Sequence, residues 1–166
     1  MQKGETGAIN LNQLLQNCLN PDKAYLKRGS IEYRLHDKVM QVKNNYDKEV
    51  FNGDTGVIES VNFEERLLTV DFDGRNVVYN ANELDELVLS YACTIHKSQG
   101  SEYPIVVIPI SMQHFIMLQR NLLYTGITRA KKVLVLVGSK KAIKCAIENN
   151  KAPNRNSNLA KRLQVI

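Results

Sequence analysis

No phosphate-cradling loop is present in this chain. The pattern G-x-x-x-x-G-K-[ST] occurs nowhere in its 166 residues. Without that loop the chain lacks the usual device by which backbone amides and a lysine hold a nucleotide's phosphates. Cysteine is scarce: Cys18, Cys93 and Cys145 are odd in number, with no C-x-x-C spacing. That excludes a disulfide framework and a thiolate zinc site. Cys18 and Cys145 fall on apolar positions of expected helices, so they read as small buried hydrophobes. No carboxylate cluster suited to metal-dependent nuclease chemistry stands out, so no metal site and no DNA cleavage are expected. No signal-peptide pattern is seen, and no apolar run approaches the roughly 18 residues that cross a bilayer. A reducing cytoplasm, with no membrane partner, is the expected setting. Repeats and low-complexity linkers are absent too.

What is there suits a globular domain: 43% hydrophobic and 23% charged residues, with a net charge of +5 and a pI of about 9.1. The basic balance is compatible with a polyanionic partner without identifying one. It is unevenly spread. Residues 36–88 hold twelve carboxylates against five basic side chains, so the positive charge lies in the flanking segments.

Ala8, Leu11, Leu15 and Cys18, with Ile9, Leu14 and Leu19, predict an amphipathic helix capped by Thr6 and stopped at Asn20-Pro21. Four residues before it are too few for a strand. If the helix belongs to a βα unit, its strand precedes Met1, and the chain is expected to be a piece of a longer protein. After Ser30 the texture changes. Short strands are predicted at Val57–Val61, Leu67–Phe72 and Asn76–Tyr79, the last two joined at Asp73-Gly74 by a type I′ turn. Such strands with Gly-rich turns predict a small antiparallel barrel over about 36–88. From Val88 onward, a short strand at Tyr91–Ile95 is expected to enter a polar loop. The unbroken apolar runs Ile105–Ile110 and Val133–Val137 predict parallel strands covered on both faces. Between them Gln113–Ile127 reads as one helix with Phe115, Leu118, Leu122 and Leu123 inward. Ser139 caps a further helix to Asn149, and Leu159–Leu163 is a last amphipathic piece. The fold class is then α/β: a parallel sheet flanked by helices, segments 1–35 and 89–166, with the barrel 36–88 inserted.

Two stretches carry chemistry. The loop Thr94–Glu102 holds Gly100, which permits close backbone approach to a phosphate, and Gln99, which both donates and accepts. His96, Lys97 and Ser98 are phosphate-compatible donors, and Glu102 could accept from a ribose hydroxyl. In open parallel sheets such loops work at the carboxyl ends of strands. A plain polar surface loop fits the same residues. The second stretch, Thr125–Lys132, ends a predicted helix with Arg129. A planar, permanently charged guanidinium fixed there suits stabilisation of a transferring phosphoryl group. It equally suits a helix C-terminus whose cations complement the macrodipole. In the barrel, Asn44, Asn45 and Tyr46 could touch nucleic acid, Tyr46 by stacking, although packing of Tyr46 within the module is the favoured reading.

Taken together, His96–Glu102 followed by Leu123–Lys131 resembles motifs V and VI of superfamily 1 helicases. The RecD-like branch, the alpha subunit of exodeoxyribonuclease V and its stand-alone relatives, is the nearest likeness. Gly4-Glu5-Thr6-Gly7 with Leu11-Asn12 and Leu19-Asn20-Pro21 is similar to that family's motif IV region. Asp37–Gln41, Asn44–Tyr46 and Phe51–Gly56 resemble its next motif, and the barrel resembles its SH3-like insertion.

The resemblance implies the second RecA-like motor domain of an ATP-dependent, 5′-to-3′ DNA helicase in recombination and repair. It implies Arg129 as an arginine finger, Gln99 and Gly100 beside the γ-phosphate, and Glu102 near the ribose. Thr94, His96, Lys97 and Ser98 would face single-stranded DNA, with Asn44 and Asn45 as auxiliary contacts. ATP and Mg2+ would be held mainly by a first motor domain of the same parent chain, upstream of Met1, and the piece alone would be inactive as an ATPase. Partner subunits of an exonuclease V complex and a bacterial cytoplasm follow from the same likeness. Two alternatives stand beside it: a non-catalytic nucleic-acid or protein-binding module, and the helicase domain of a conjugative relaxase.

Overall fold

A computed structural model describes residues 4–21 and 24–150. The chain divides into two compact units, Met1–Ser101 and Glu102–Ile166. The expected piece Leu159–Leu163 lies outside the described residues.

The first unit begins with helix α1 (Ala8–Leu19), followed by strands β1 (Tyr25–Arg28), β2 (Ile31–Arg34), β3 (Lys38–Gln41), β4 (Thr55–Asn62), β5 (Leu67–Phe72), β6 (Arg75–Asn80) and β7 (Leu87–Leu89). β1 and β2 form an antiparallel hairpin, and the others an antiparallel sheet in the order β6-β5-β4-β3-β7. The three strands expected from alternation are β4, β5 and β6. Their tight turn is as expected: Asp73 and Gly74 both have positive φ, 52° and 90°, and Phe72 pairs with Arg75. Alternate side chains point inward, so Ile58, Leu68, Val70 and Tyr79 are fully buried. Leu26 and Tyr33 from the β1–β2 hairpin belong to the same core. Strand β1, with its charged end, carries too little alternation to read from sequence.

Helix α1 departs from its expected packing. Its cap is Gly7, in extended conformation and with no side-chain bond, not Thr6. Of its apolar residues Ala8, Leu11 and Leu15 are half-buried, but Ile9, Leu14 and Leu19 are 55%, 54% and 68% exposed, and Cys18 is exposed. Asn12 and Gln16 are buried instead. They form, with Asn20, an i, i+4, i+8 stripe of carboxamides. The reason is the surface they meet, which offers polar partners. Gln16 and Asn20 donate to the carboxylate of Asp37, and Asn12 bonds the backbone of Ala92.

The second unit is a β-α-β arrangement: β8 (Tyr103–Ile110), a 3-10 turn (Met112–Met117), α2 (Arg120–Ile127), β9 (Ala130–Gly138) and α3 (Lys140–Glu148). β8 and β9 are parallel, with Ile105 opposite Val133 and Ile110 opposite Gly138. Ser139 caps α3 as expected, its hydroxyl accepting from the Ala142 N–H. The expected single helix 113–127 is broken at Leu118–Gln119. The break is stabilised from outside: the Asn149 carboxamide donates to the Leu118 carbonyl at 2.8 Å, and Arg120 N–H donates to the Asn149 carbonyl at 3.0 Å. Leu118 and Leu123 are inward, whereas Phe115 is 58% exposed. Among the described residues only one of the two expected faces is covered. Val106, Ile108, Ile110, Leu134 and Leu136 pack with α2 and α3 side chains, while Ile105, Val107, Val133, Val135 and Val137 are 41% to 61% exposed. An apolar run shows that a strand can be buried on both sides; a second layer of structure must supply the burial. Cys145 is half-buried in this core, not fully as expected.

Candidate nucleotide and nucleic-acid site

The first candidate segment closes the first unit. No strand forms at 91–95; the chain there is bends and turns. The Ala92 N–H and carbonyl are taken by Asn12, so no ladder partner is needed. The loop therefore does not stand at the carboxyl end of a strand, as expected, but directly before β8. Arg129 likewise stands directly before β9.

From Thr94 the backbone coils. Lys97 and Ser98 N–H donate to the Thr94 carbonyl at 2.9 and 3.1 Å, and Ser101 N–H to the Ser98 carbonyl at 3.1 Å. The Thr94 hydroxyl accepts from Lys97 N–H at 3.4 Å, in the manner of a helix cap. Ser98 is buried, and its hydroxyl donates to the Ile95 carbonyl at 2.8 Å. His96, Gln99 and Gly100 are exposed, and Lys97 is half-buried. Gly100 has φ of +87° and open space where a Cβ would sit. Thr94 and Lys97 also line a cavity of about 630 Å3 whose other walls include Asn12, Gln16, Ile31 and Arg34. Arg34 reaches Asn20, Asn17 and Glu32 through its terminal nitrogens. Its Nε is buried without a hydrogen-bond partner.

In the second unit, Tyr103 N–H donates to the Arg129 carbonyl at 2.8 Å. That rung brings Glu102 and Arg129 to one edge of the parallel pair. Glu102 forms an exposed ion pair with Lys131 at 3.1 Å. The Arg129 guanidinium lies along the end of its own helix: Nε donates to the Thr125 carbonyl and Nη2 to the Thr128 hydroxyl, both at 3.3 Å. The Thr125 carbonyl is one of the backbone groups that a helix C-terminus leaves open.

Asn44 and Asn45 lie in the loop between β3 and β4, and both serve it internally. Asn44 Oδ1 accepts from Asn52 N–H at 2.9 Å. Asn45 accepts from Lys48 N–H and donates to Glu86, each at 3.1 Å. Tyr46, expected to pack within the module, is 74% exposed; its ring stands edge-to-face with Phe51, centroids 6.0 Å apart, and its hydroxyl accepts from Asn44 Nδ2 at 3.4 Å. The loop's polar bonds leave that ring outside the core.

Sequence reasoning missed Asp37 and Tyr91. Asp37 is fully buried and accepts from Gln16, Asn20, Arg34 N–H and the Tyr91 hydroxyl. The carboxamide spacing at 12, 16 and 20 is the trace of its donors in the sequence. Burial, then the bond and charge of Asp37, push the Tyr91 hydroxyl up to about 12.

Residues 11–72 match the family described as the ATP-dependent RecD-like DNA helicase SH3 domain. Residues 89–137 match the UvrD-like helicase C-terminal domain. The chain is 39% identical over 164 residues to the ATP-dependent RecD2 DNA helicase of Deinococcus radiodurans, covering 99% of this chain and 22% of that protein. The chain belongs to the RecD-like DNA helicases. The RecBCD enzyme subunit RecD of Mycobacterium tuberculosis is 36% identical over 161 residues, 97% of this chain and 27% of that one. The Mycolicibacterium smegmatis subunit is 29% identical over 163 residues, 98% and 28%. This RecD-like chain thus spans about a quarter of the length of these relatives. Among solved structures, Pif1 helicase from Bacteroides in complex with ADP-AlF3 and ssDNA shares the fold, with a TM-score of 0.62 at 18% identity, over 96% of this chain and 43% of that one. A structure of two Pif1 helicases at forked double-stranded DNA gives 0.59 at 20% identity, over 79% and 37%. No helix among the described residues is long and apolar enough to cross a membrane.

Proposed function

We propose that this chain is the second, RecA-like motor domain of an ATP-dependent, 5′-to-3′ DNA helicase of the RecD type, acting in DNA recombination and repair in a bacterial cytoplasm. Segments 1–35 and 89–166 form the motor layer and 36–88 the inserted SH3-like barrel. Arg129 is the arginine finger. Its permanently charged, planar guanidinium stabilises the charge that develops on the γ-phosphoryl group of ATP. Gln99 and Gly100 stand beside that phosphate and Glu102 near the ribose. Thr94, His96 and Lys97, with Asn44 and Asn45, face single-stranded DNA, and Ser98 braces their turn from within through its bond to the Ile95 carbonyl.

The observation that carries this reading is the rung between Tyr103 and Arg129, which sets Arg129 and Glu102 at one edge of a parallel pair. The exposed backbone at Gly100, open to close approach, suits a phosphate. Among the described residues no group of three His, Cys, Asp or Glu side chains could hold a metal ion. In this reading ATP and Mg2+ are held mainly by a first motor domain of the parent chain, and the isolated piece neither hydrolyses ATP nor cuts DNA. Partner subunits of an exonuclease V-type complex are further proposed partners.

In the full-length parent, Arg129→Ala is expected to leave ATP binding nearly intact. DNA-stimulated turnover should fall by roughly 10³ to 10⁵. Steady-state hydrolysis beside equilibrium nucleotide binding measures both. Turnover close to that of the unaltered protein removes Arg129 from the chemistry.

A further inference from the structure

The stretch that leads into the 94–100 turn is held almost wholly by side chains from distant parts of the first unit. Its last sheet contact is Ser90 N–H, which donates to the Lys38 carbonyl at 2.7 Å. Beyond that point Tyr91 donates through its hydroxyl to Asp37 at 2.9 Å. Asn12, 8% exposed, then takes both backbone groups of Ala92. Its Nδ2 donates to the Ala92 carbonyl at 2.8 Å, and its Oδ1 accepts from the Ala92 N–H at 2.9 Å. Two bonds between one carboxamide and one residue fix orientation as well as position, as paired ladder bonds do in a sheet. The carboxamide is itself held, since Nδ2 also donates to the Ala8 carbonyl at 2.8 Å. Thr94, whose carbonyl and hydroxyl organise the turn, follows two residues later.

We infer that Asn12 is a positioning residue for the 94–100 turn. It makes the register of that turn depend on helix α1, and thereby sets where Thr94, His96 and Lys97 meet a DNA strand. Asn12 touches no DNA itself. The inference rests on the reading above in one respect only, that this turn is a DNA contact.

The test uses the whole 166-residue chain, in two measurements. The first is residue-resolved amide exchange. Asn12→Leu removes both bonds at similar size, and is expected to speed exchange at Ala92, Lys97 and Ser98 about tenfold while leaving β4, β5 and β6 unchanged. Asn12→Ala removes the same bonds with a smaller side chain, so exchange should rise at the same amides. It also carries the test if Asn12→Leu does not fold. The second measurement is anisotropy of a fluorescent oligothymidylate, whose affinity should drop about tenfold in Asn12→Leu. Unchanged exchange at 92–98, or faster exchange spread evenly over β4 to β6, overturns the positioning role. A loosened turn with unchanged oligonucleotide affinity overturns its functional part. If the unaltered chain binds no oligonucleotide while the exchange pattern holds, the DNA reading fails and the positioning role stands.

Discussion

The two units handle apolar sequence differently. In the sheet of the first unit, buried positions alternate with half-buried or exposed, largely polar ones, as along β5, where Leu68, Val70 and Phe72 are buried. The apolar content there closely matches the burial available. In β8 and β9 both faces are apolar, yet only one is covered among the described residues. Alternation records the burial a strand has; an unbroken run records the burial a strand can accept. The units differ in polar design as well. The first encloses a carboxylate, Asp37, with four neutral donors. The described core of the second is built from aliphatic and small side chains.

The comparison breaks most sharply at Asp37. Asp37→Ala removes the shared, fully buried acceptor of four donors, and should cost the first unit roughly 2–4 kcal/mol. Urea unfolding followed by circular dichroism reads this, and a loss below about 1 kcal/mol would show that the hub does not organise the unit. Next come the glycines at close approach. A Cβ on Gly138 would meet the Ile110 carbonyl oxygen between β8 and β9, and one on Gly56 would lie 2.5 Å from the Asp71 oxygen. Gly138→Ala should destabilise the second unit and Gly56→Ala the first, each by about 3 kcal/mol. Exchange mapped by residue would assign each loss, and a crossed assignment contradicts the division into units. A smaller contrast concerns a single hydroxyl. Val70→Thr buries one in a full core, at about 1–3 kcal/mol; Val107→Thr, at a position 59% exposed, should stay within about 0.5 kcal/mol. Equal costs in thermal melts would mean that the outer face of β8 is covered in solution.

Alkali should also distinguish the units. The Tyr91 hydroxyl stands at about 12 in the folded chain against an ordinary 10.0. Burial likewise raises Tyr33 and Tyr79, helped by the charges of Asp85 and Glu86 respectively. Because the folded values lie above the unfolded ones, the stabilisation is complete below pH 10 and fades as the pH climbs through 12. The first unit should lose stability across that window, with a smaller loss in Tyr91→Phe. A stability profile flat to pH 12 would contradict it.

Local chemistry made much of the first unit legible. The turn at Asp73-Gly74 and the alternation on either side placed β5 and β6, because positive φ at two consecutive residues admits few side chains. Ser139 marked the start of α3 for a similarly local reason. The packed face of α1 was not legible, since apolar spacing points to an apolar surface and the surface it meets is polar. The break before α2 was hidden because Asn149, far along the chain, satisfies the opened backbone. Within the candidate site, the residue types at 94–102 and 129 were readable as phosphate chemistry. The inward commitment of Ser98, the internal bonds of Asn44 and Asn45, and the Asn12 clamp on Ala92 were not, because each depends on which backbone groups folding leaves without a partner.

The order of residues by itself determined membership of the RecD-like helicases, the turns, the antiparallel strands β4 to β6 and the placing of Arg129 at a helix end. Tertiary structure decided which face of each element is covered, and which side chain anchors the 94–100 turn. It also decided that Glu102 and Arg129 share an edge. Local preferences act over a few residues along the chain. Partners for buried polar groups and cover for apolar faces come from segments tens of residues away, and only the folded chain brings them within reach.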